Sequence, residues 1–441
     1  MFYINRDAVL TPELLQKMIN RFNFNDLPQL EKWDNYYKGK HIILNKTYAD
    51  ETKECNHIVT NYCKIIADTY SGYICGKPIT YTSNQDIEAV QDAINYNDDN
   101  SANISWCSNA LIYGVAYELQ WIDKYAQVRY AQVSPLKGFA VYDNTLDCEL
   151  LHFVRWYKAD NFDDNDLHYI EVYSANSITT YKAHGLLGNL EFVEEVPHYF
   201  GDVPVSVFSL NDAQESIFNS IMTLNDAYNE LQSSEIDDFN AWVDAYLALV
   251  GVDAEADDIA AMKENRVLLL PEGASATWVT KSANDTQIVN MLENIKENIF
   301  KVTACPDMAD ENFLAQSGTA LAYKLVGFEN VASGIVARFT KAIQRRIELI
   351  CNILKIKATD AVWRDININF VRNLPVNITE TIQLVNALKG TVSDKTLLGQ
   401  LPFIDDVQAE LEAVEAQRKV NMELYSFAPV TEEEESEEDA A

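Results

Sequence analysis

Side chains capable of chemistry are plentiful in this chain, but their spacing excludes most of it. The six histidines, His41, His57, His152, His168, His184 and His198, contain no His-Glu-x-x-His pair to set two zinc ligands on one helix face. Cys55-x-His57 with Cys63, or Cys148 with His152, could in principle meet a metal; they read instead as core thiols and surface imidazoles. Gly-x-Ser-x-Gly and Gly-x-Gly-x-x-Gly are both absent, so neither a nucleophile elbow nor a dinucleotide loop is offered. The run Gly72-Tyr73-Ile74-Cys75-Gly76-Lys77-Pro78 superficially resembles a phosphate-binding loop. It is one residue short, carries proline where a magnesium-binding hydroxyl belongs, and follows a helix rather than a strand. Asp237-Asp238 and Asp257-Asp258 could hold magnesium for phosphoryl chemistry, yet charge-rich helix faces explain them better. Neither a catalytic constellation, a cofactor nor a metal site is expected.

What the chain does offer is a helix, a loop and a much longer helix between Ser282 and Cys351. Ile288, Met291, Leu292, Ile295, Ile299 and Val302 recur at three- and four-residue steps and share one face. Cys305-Pro306-Asp307 ends that period, and the chain stays irregular as far as Ser317-Gly318. From Leu321 a second stripe runs through Leu325, Phe328, Ala332, Ile335, Phe339, Ile343, Ile347, Ile350 and Leu354. Gly327 and Gly334 interrupt it, each costing about 1 kcal/mol against alanine, which predicts either a kink or a close neighbour.

At 441 residues and 48% apolar composition, two or three subdomains are expected. Sixty-seven acids against 34 Lys and Arg give a net charge of −33, which excludes tight static binding to nucleic acid for want of a basic patch. Such a surface suits either an ordinary acidic protein or one that lets a polyanion pass without sticking. Seven scattered cysteines without a Cys-x-x-Cys pair fit reduced thiols in the cytosol. The amino terminus lacks an apolar signal core and no run reaches roughly 18 apolar residues, so neither export nor a membrane span is expected.

In order, the chain predicts helices over 12–37, 52–73, 86–95 and 102–113. Short β-branched and aromatic runs follow from Val115 to Phe208, separated by turns at Asp143-Asn144, Asp163-Asp164-Asn165 and Gly188-Asn189, which reads as antiparallel sheet. Asn211 or Asp212 should cap a long helix reaching Tyr246, with Ile217, Ile221, Leu224, Tyr228 and Leu231 as its stripe. An acidic helix over 254–263 and strands at 266–270 and 275–280 would form a small α/β module. After Lys357 come a strand at 366–371, helices at 379–388, from Val392 and over 405–423, and a like-charged tail from Thr431 that should be disordered.

Asn225-Asp226-Ala227-Tyr228-Asn229, with Ser233 or Ser234, Asp237 and Asp244-Ala245-Tyr246-Leu247, resembles the stem helix of the portal proteins of long-tailed bacteriophages. Ser317-Gly318-Thr319-Ala320-Leu321 resembles the start of the long helix after their tunnel loop. Tyr36-Tyr37-Lys38-Gly39-Lys40-His41 and Tyr73-Ile74-Cys75-Gly76-Lys77-Pro78-Ile79 look like their amino-terminal helices, and the likeness spans about residues 30 to 400.

The resemblance implies an α+β, mostly helical portal fold. Residues 1–210 would be the wing, 211–245 a stem helix, 246–281 the clip, 282–304 a second stem helix, 305–318 the tunnel loop, 319–357 the long wing helix and 358–430 the crown. It also implies a non-enzymatic homo-oligomer of about twelve subunits at one capsid vertex, with double-stranded DNA passing through the ring. The terminase large subunit, a head-tail adaptor, and the major capsid and scaffolding proteins would be its partners, in the virion and, during assembly, in host cytoplasm. Asp307, Asp310 and Glu311 would repel phosphate from the tunnel loop, while Met308, Phe313 and Leu314 seal against neighbouring loops. Lys296, Lys301, Arg338, Lys341 and Arg345 are candidate DNA-facing cations, with ion pairs between subunits as the alternative. Val267, Leu269, Thr277 and Val279 would form the clip interface. The rival readings are an acidic minor head or scaffold protein that forms no ring, and a metal-dependent head-associated nuclease.

Overall fold

The computed structural model describes residues 2–49, 55–160, 166–243, 246–250, 275–279, 285–309, 318–356, 362–373, 378–399, 401, 404 and 407–426. The chain divides into two compact units, the first comprising 1–314 and 323–373, the second 315–322 and 374–441.

The first unit opens with strand β1 (Phe2–Ile4) and helix α1 (Pro12–Arg21), which Thr11 caps through the Leu14 N–H and proline pre-organises in its first turn. A π-helical turn, Phe22–Asp26, joins it to α2 (Leu27–Tyr37). Helix α3 begins only at Tyr62 and runs to Cys75, capped by the Asn61 side chain on the Lys64 N–H. The helix expected over 52–73 is therefore shorter than its apolar spacing suggested, because Asn56–Asn61 is drawn out along another helix. After β2 (Thr80–Thr82), α4 (Glu88–Asn95) and α5 (Asp99–Tyr113) complete this helical layer. Gly114 ends α5 at φ +74°, and a Cβ there would sit 2.2 Å from the Gln214 carbonyl oxygen, so only glycine fits.

The expected sheet region is two sheets. Strands β3 (Val115–Ile122), β4 (Val128–Val133), β5 (Gly138–Asp143), β6 (Leu150–Lys158), β7 (Leu167–Tyr173), β8 (Ser177–His184), β9 (Glu191–Pro197) and β10 (Val205–Ser209) pair as β1-β5-β6-β7-β8-β9 and β10-β3-β4. All neighbours are antiparallel except β1, which runs parallel to β5, with Phe2 set on Phe139 at 4.5 Å between ring centroids. Val115, Tyr117, Leu119, Phe153, Tyr173 and Val205 contribute to one core that draws on both sheets.

Helix α6 spans Met222–Val243, and here two expectations fail. Residues before Met222 form turns, since Asn211 Oδ1 accepts from the Glu215 N–H in a local loop and Gln214 sits at φ +54°. From Tyr246 the chain is extended rather than helical, with β11 (Tyr246–Val250) pairing antiparallel to β12 (Ser275–Val279). Helix α7 (Asp285–Val302) and the 39-residue α8 (Gly318–Ile356) match the two stripes closely. Strand β13 (Asn367–Asn369) pairs with β2.

One buried charge fixes α8 to the sheet. Arg346, fully buried, donates through Nε and Nη2 to the two carboxylate oxygens of Glu118 on β3 at 2.7 and 2.6 Å, and through Nη1 to Asp99 and Asn103 at 2.6 and 2.7 Å. Its guanidinium also lies over the rings of Trp106 and Tyr130 at 4.8 and 4.4 Å. Burial pushes the Glu118 carboxyl above its ordinary range even against Arg346, and removing one partner of such a pair costs about 3–5 kcal/mol.

In the second unit, α9 (Ile378–Leu388), α10 (Asp394–Leu398) and α11 (Val407–Ser426) agree with the expected helices. Ser393 caps α10 through the Thr396 N–H. The expected acidic helix at 254–263, the strand at 266–270 and the tail from Thr431 lie outside the described residues.

Candidate functional site

Helix α6 carries Asn225, Asn229, Ser233 and Asp237 at four-residue steps, one polar file along a single face. Each side chain meets every second residue of the extended stretch before α3. Asn225 Oδ1 accepts from the Tyr62 N–H at 3.1 Å and Asn229 Oδ1 from Thr60 at 2.9 Å. Ser233 Oγ accepts from Ile58 at 3.0 Å and Asp237 Oδ1 from Asn56 at 2.7 Å. The match is geometric: four helical residues rise about 6.0 Å and two extended residues about 6.6 Å, so the two periods stay in step over four rungs. Asn225, Asn229 and Ser233 are fully buried, and the Asn225 amide also donates to the Thr60 carbonyl at 2.8 Å. His41, buried and pushed by that burial toward the neutral form, accepts the Asn229 amide on Nδ1 and donates from Nε2 to the Tyr36 carbonyl. Burial would raise the Asp237 pKa, but Asn56, the Tyr48 hydroxyl and Lys46 outweigh it and hold the carboxyl below its usual range.

Where the extended stretch ends, Tyr62 packs edge-on against Tyr228 of α6 and Phe300 of α7, with centroids 5.1 and 5.8 Å apart. The root of the loop after α7 is fixed by the same layer. Tyr70 on α3 donates its hydroxyl to the Thr303 carbonyl at 2.7 Å, Ala304 turns the chain at φ +52°, and Cys305 is buried. Lys296 then pairs with Asp307 at 2.6 Å, and Asp307 Oδ1 accepts the Ala309 N–H. From α8, Phe328 inserts between Tyr70 and Tyr73 at 4.5 and 4.6 Å, while the open face of Gly327 lies 3.7 Å, at an ideal Cβ, from the Ala304 methyl. A Cβ at Gly327 would make only an ordinary van der Waals contact there, and none of the described residues approaches Gly334 within 4 Å, so no close neighbour within the described protomer accounts for either glycine.

Of the residues singled out from sequence, Asp307 and Met308 stand at this root, Met308 exposed, while Asp310, Glu311, Phe313 and Leu314 lie outside the described residues. Lys296 is engaged within its own chain, and Lys301 pairs with Glu297 one turn away at 2.7 Å. Arg338 pairs with Asp212 at 2.9 Å, and Arg345 with Asp202 and Glu348 at 2.7 and 2.8 Å. Arg338, Lys341 and Arg345 together line a cleft of about 610 Å³ whose other wall carries Asp147 and Glu149. Thr277 and Val279 belong to β12, opposite Ala248 and Tyr246, and Val267 and Leu269 lie outside the described residues. Among the described residues, no group of three or more His, Cys, Asp or Glu side chains is placed to hold a metal, and no helix is long and apolar enough to cross a membrane. Sequence reasoning named the polar file of α6 without its role; the signal was there, in hydrogen-bonding side chains at strict four-residue spacing.

A family model described as phage portal protein, SPP1 Gp6-like, matches residues 16–423. The portal protein of Bacillus phage SPP1 is 21% identical over 445 residues, covering 93% of this chain and 87% of the relative. That of Clostridium phage phiCD119 is 22% identical over 451 residues, covering 96% of each. Among solved structures, a chain from the neck of an empty GTA particle computed with C6 symmetry overlaps 77% of this chain and 89% of its own, at 12% identity and a TM-score of 0.46. A match running through the helical layer, both sheets, α6, α7 and α8 leaves one assignment: the chain belongs to the SPP1 Gp6-like family of phage portal proteins.

Proposed function

We propose that the chain assembles into a closed homo-oligomeric ring of about twelve subunits at one vertex of the phage head, the channel by which double-stranded DNA enters and leaves. Family membership supports the role, and one observation carries the assembly. Ile236 and Phe239 on α6, and Val289, Met291 and Val302 on α7, remain exposed within the protomer. Apolar side chains repeated along two adjacent helices call for cover from a neighbouring copy, and a heterologous contact repeated by rotation closes a ring. In this reading the segment after Asp307 projects into the channel from an anchored root and gates or grips the DNA. The acidic balance of the chain keeps phosphate from adhering to the wall. Residues 246–281 serve as the clip, on which the terminase large subunit and head-tail adaptor dock; major capsid and scaffolding proteins surround the wing. The chain is structural, with ATP hydrolysis left to the terminase. It resides in the virion, having been assembled in host cytoplasm.

Deleting Ala309 to Asn312 tests the loop. Rings by native mass measurement and procapsids should be intact, while packaging fails or packaged DNA slips back. Full-length genomes retained normally would remove the loop from the mechanism, and a monomer of the intact chain would remove the ring.

A further inference from the structure

The π-helical turn at Phe22–Asp26 borders a cavity of about 450 Å³ between the helical layer and the six-stranded sheet, within the size range of ligand pockets. Its floor is aromatic, formed by Phe22, Trp33, Tyr113, Tyr117 and Phe139. Two polar donors of that floor are turned to partners of their own: Trp33 Nε1 donates to Asn219 Oδ1 at 2.9 Å and the Tyr113 hydroxyl to Asp34 at 2.7 Å. The rim carries two carboxylates, Asp26 and Glu215, and among the described residues no Lys, Arg or His lines the cavity. Glu215 reaches the rim because its neighbour Gln214 is held in left-handed backbone against Gly114, a conformation that costs free energy and that only the local packing sustains.

These features select the charge of a guest. An anion would face two carboxylates without one basic group to receive it. A neutral apolar guest would desolvate those carboxylates without compensation. A cation on a short carbon chain meets the small aromatic surface left open with its stem and the carboxylates with its N–H groups. We propose that this cavity is a receptor for an aliphatic cation, a guanidinium or primary ammonium group, borne either by a free small amine or by an Arg or Lys side chain of another polypeptide.

The test uses the full-length assembled protein and two probes of one shape, n-butylguanidinium and the neutral n-butylurea, titrated calorimetrically. The cation should bind saturably and the urea at least about tenfold more weakly, a difference of about 1.4 kcal/mol. Glu215→Gln, at an exposed rim position where folding is not at stake, should weaken the cation by a similar factor, as should Asp26→Asn. The tripeptide acetyl-Gly-Arg-Gly-amide separates the sources: binding like the free cation assigns the site to a polypeptide side chain, and binding of the free cation alone assigns it to a small amine. Equal affinity for the two probes, absence of saturable binding, or full affinity in both variants overturns the proposal.

Discussion

Replacing Asn225 by alanine should release the extended stretch before α3 without unfolding the rest. The side chain is fully buried, accepts from the Tyr62 N–H and donates to the Thr60 carbonyl. Truncation leaves both backbone groups without those partners, at about 1–3 kcal/mol each when water cannot replace the bond. Because the freed segment can open to solvent, the lower end applies, and a net loss of about 2 kcal/mol corresponds to roughly a 30-fold rise in opening. Hydrogen exchange read by mass spectrometry on a peptide covering 55–64 measures that rise directly, with β6–β8 as internal reference. Ser233→Ala removes only the acceptor for the Ile58 N–H, so its effect should be smaller, about fivefold, from about 1 kcal/mol. Acceleration below about threefold in Asn225→Ala, or equal acceleration in the reference strands, would refute the claim that α6 holds this stretch rung by rung.

Two further outcomes follow from the same structure. Gly334 stands in the interior of α8 with open space around it, so Gly334→Ala should stabilise the unassembled chain by about 0.5–1 kcal/mol in its denaturation midpoint. Loss of ring formation alongside that gain would show a neighbouring copy approaching this face. Asp237 stays ionised to lower pH when folded than when unfolded; between those two pKa values the unfolded chain binds more protons, and stability rises with pH. Acidifying from neutrality should therefore lower the melting temperature more steeply in the parent chain than in Asp237→Asn below about pH 5, and parallel curves would contradict this.

What could be read from the sequence was whatever a single element declares about itself. The stripes of α7 and α8 fixed both helices to within a few residues, and alternation from Val115 to Phe208 located the strands one by one. Misreadings arose where distant residues decide. Ile58 and Tyr62 are correctly spaced for one helix, yet the Ile58 N–H belongs to Ser233, far along the chain, and the stretch is extended. Asn211 has the chemistry of a cap but spends it on Glu215 in a turn. Phe2–Ile4 is too short to announce a strand, and only the β5 edge makes it one. The loop's place between two helices was legible; that Lys296 would pair with Asp307 at its root, rather than point at a polyanion, depended on the turn at Ala304.

Arg346 has a mechanical meaning. It pins α8 at one point to β3 and α5 through four short hydrogen bonds, so the helix cannot slide along or spin about its axis there without breaking them together. Gly334 lies twelve residues nearer the loop, about 18 Å along the axis, on a face where none of the described residues comes within 4 Å of a Cβ position, and Gly327 lies a further two turns on. The opposite face of the same span is held throughout, by Phe328 between Tyr70 and Tyr73, by Glu329 paired with Arg372, and by the buried Ile335 and Phe339. The shaft is therefore keyed along one side and bare along the other, and Arg346 sets the position of the keyed side on the sheet.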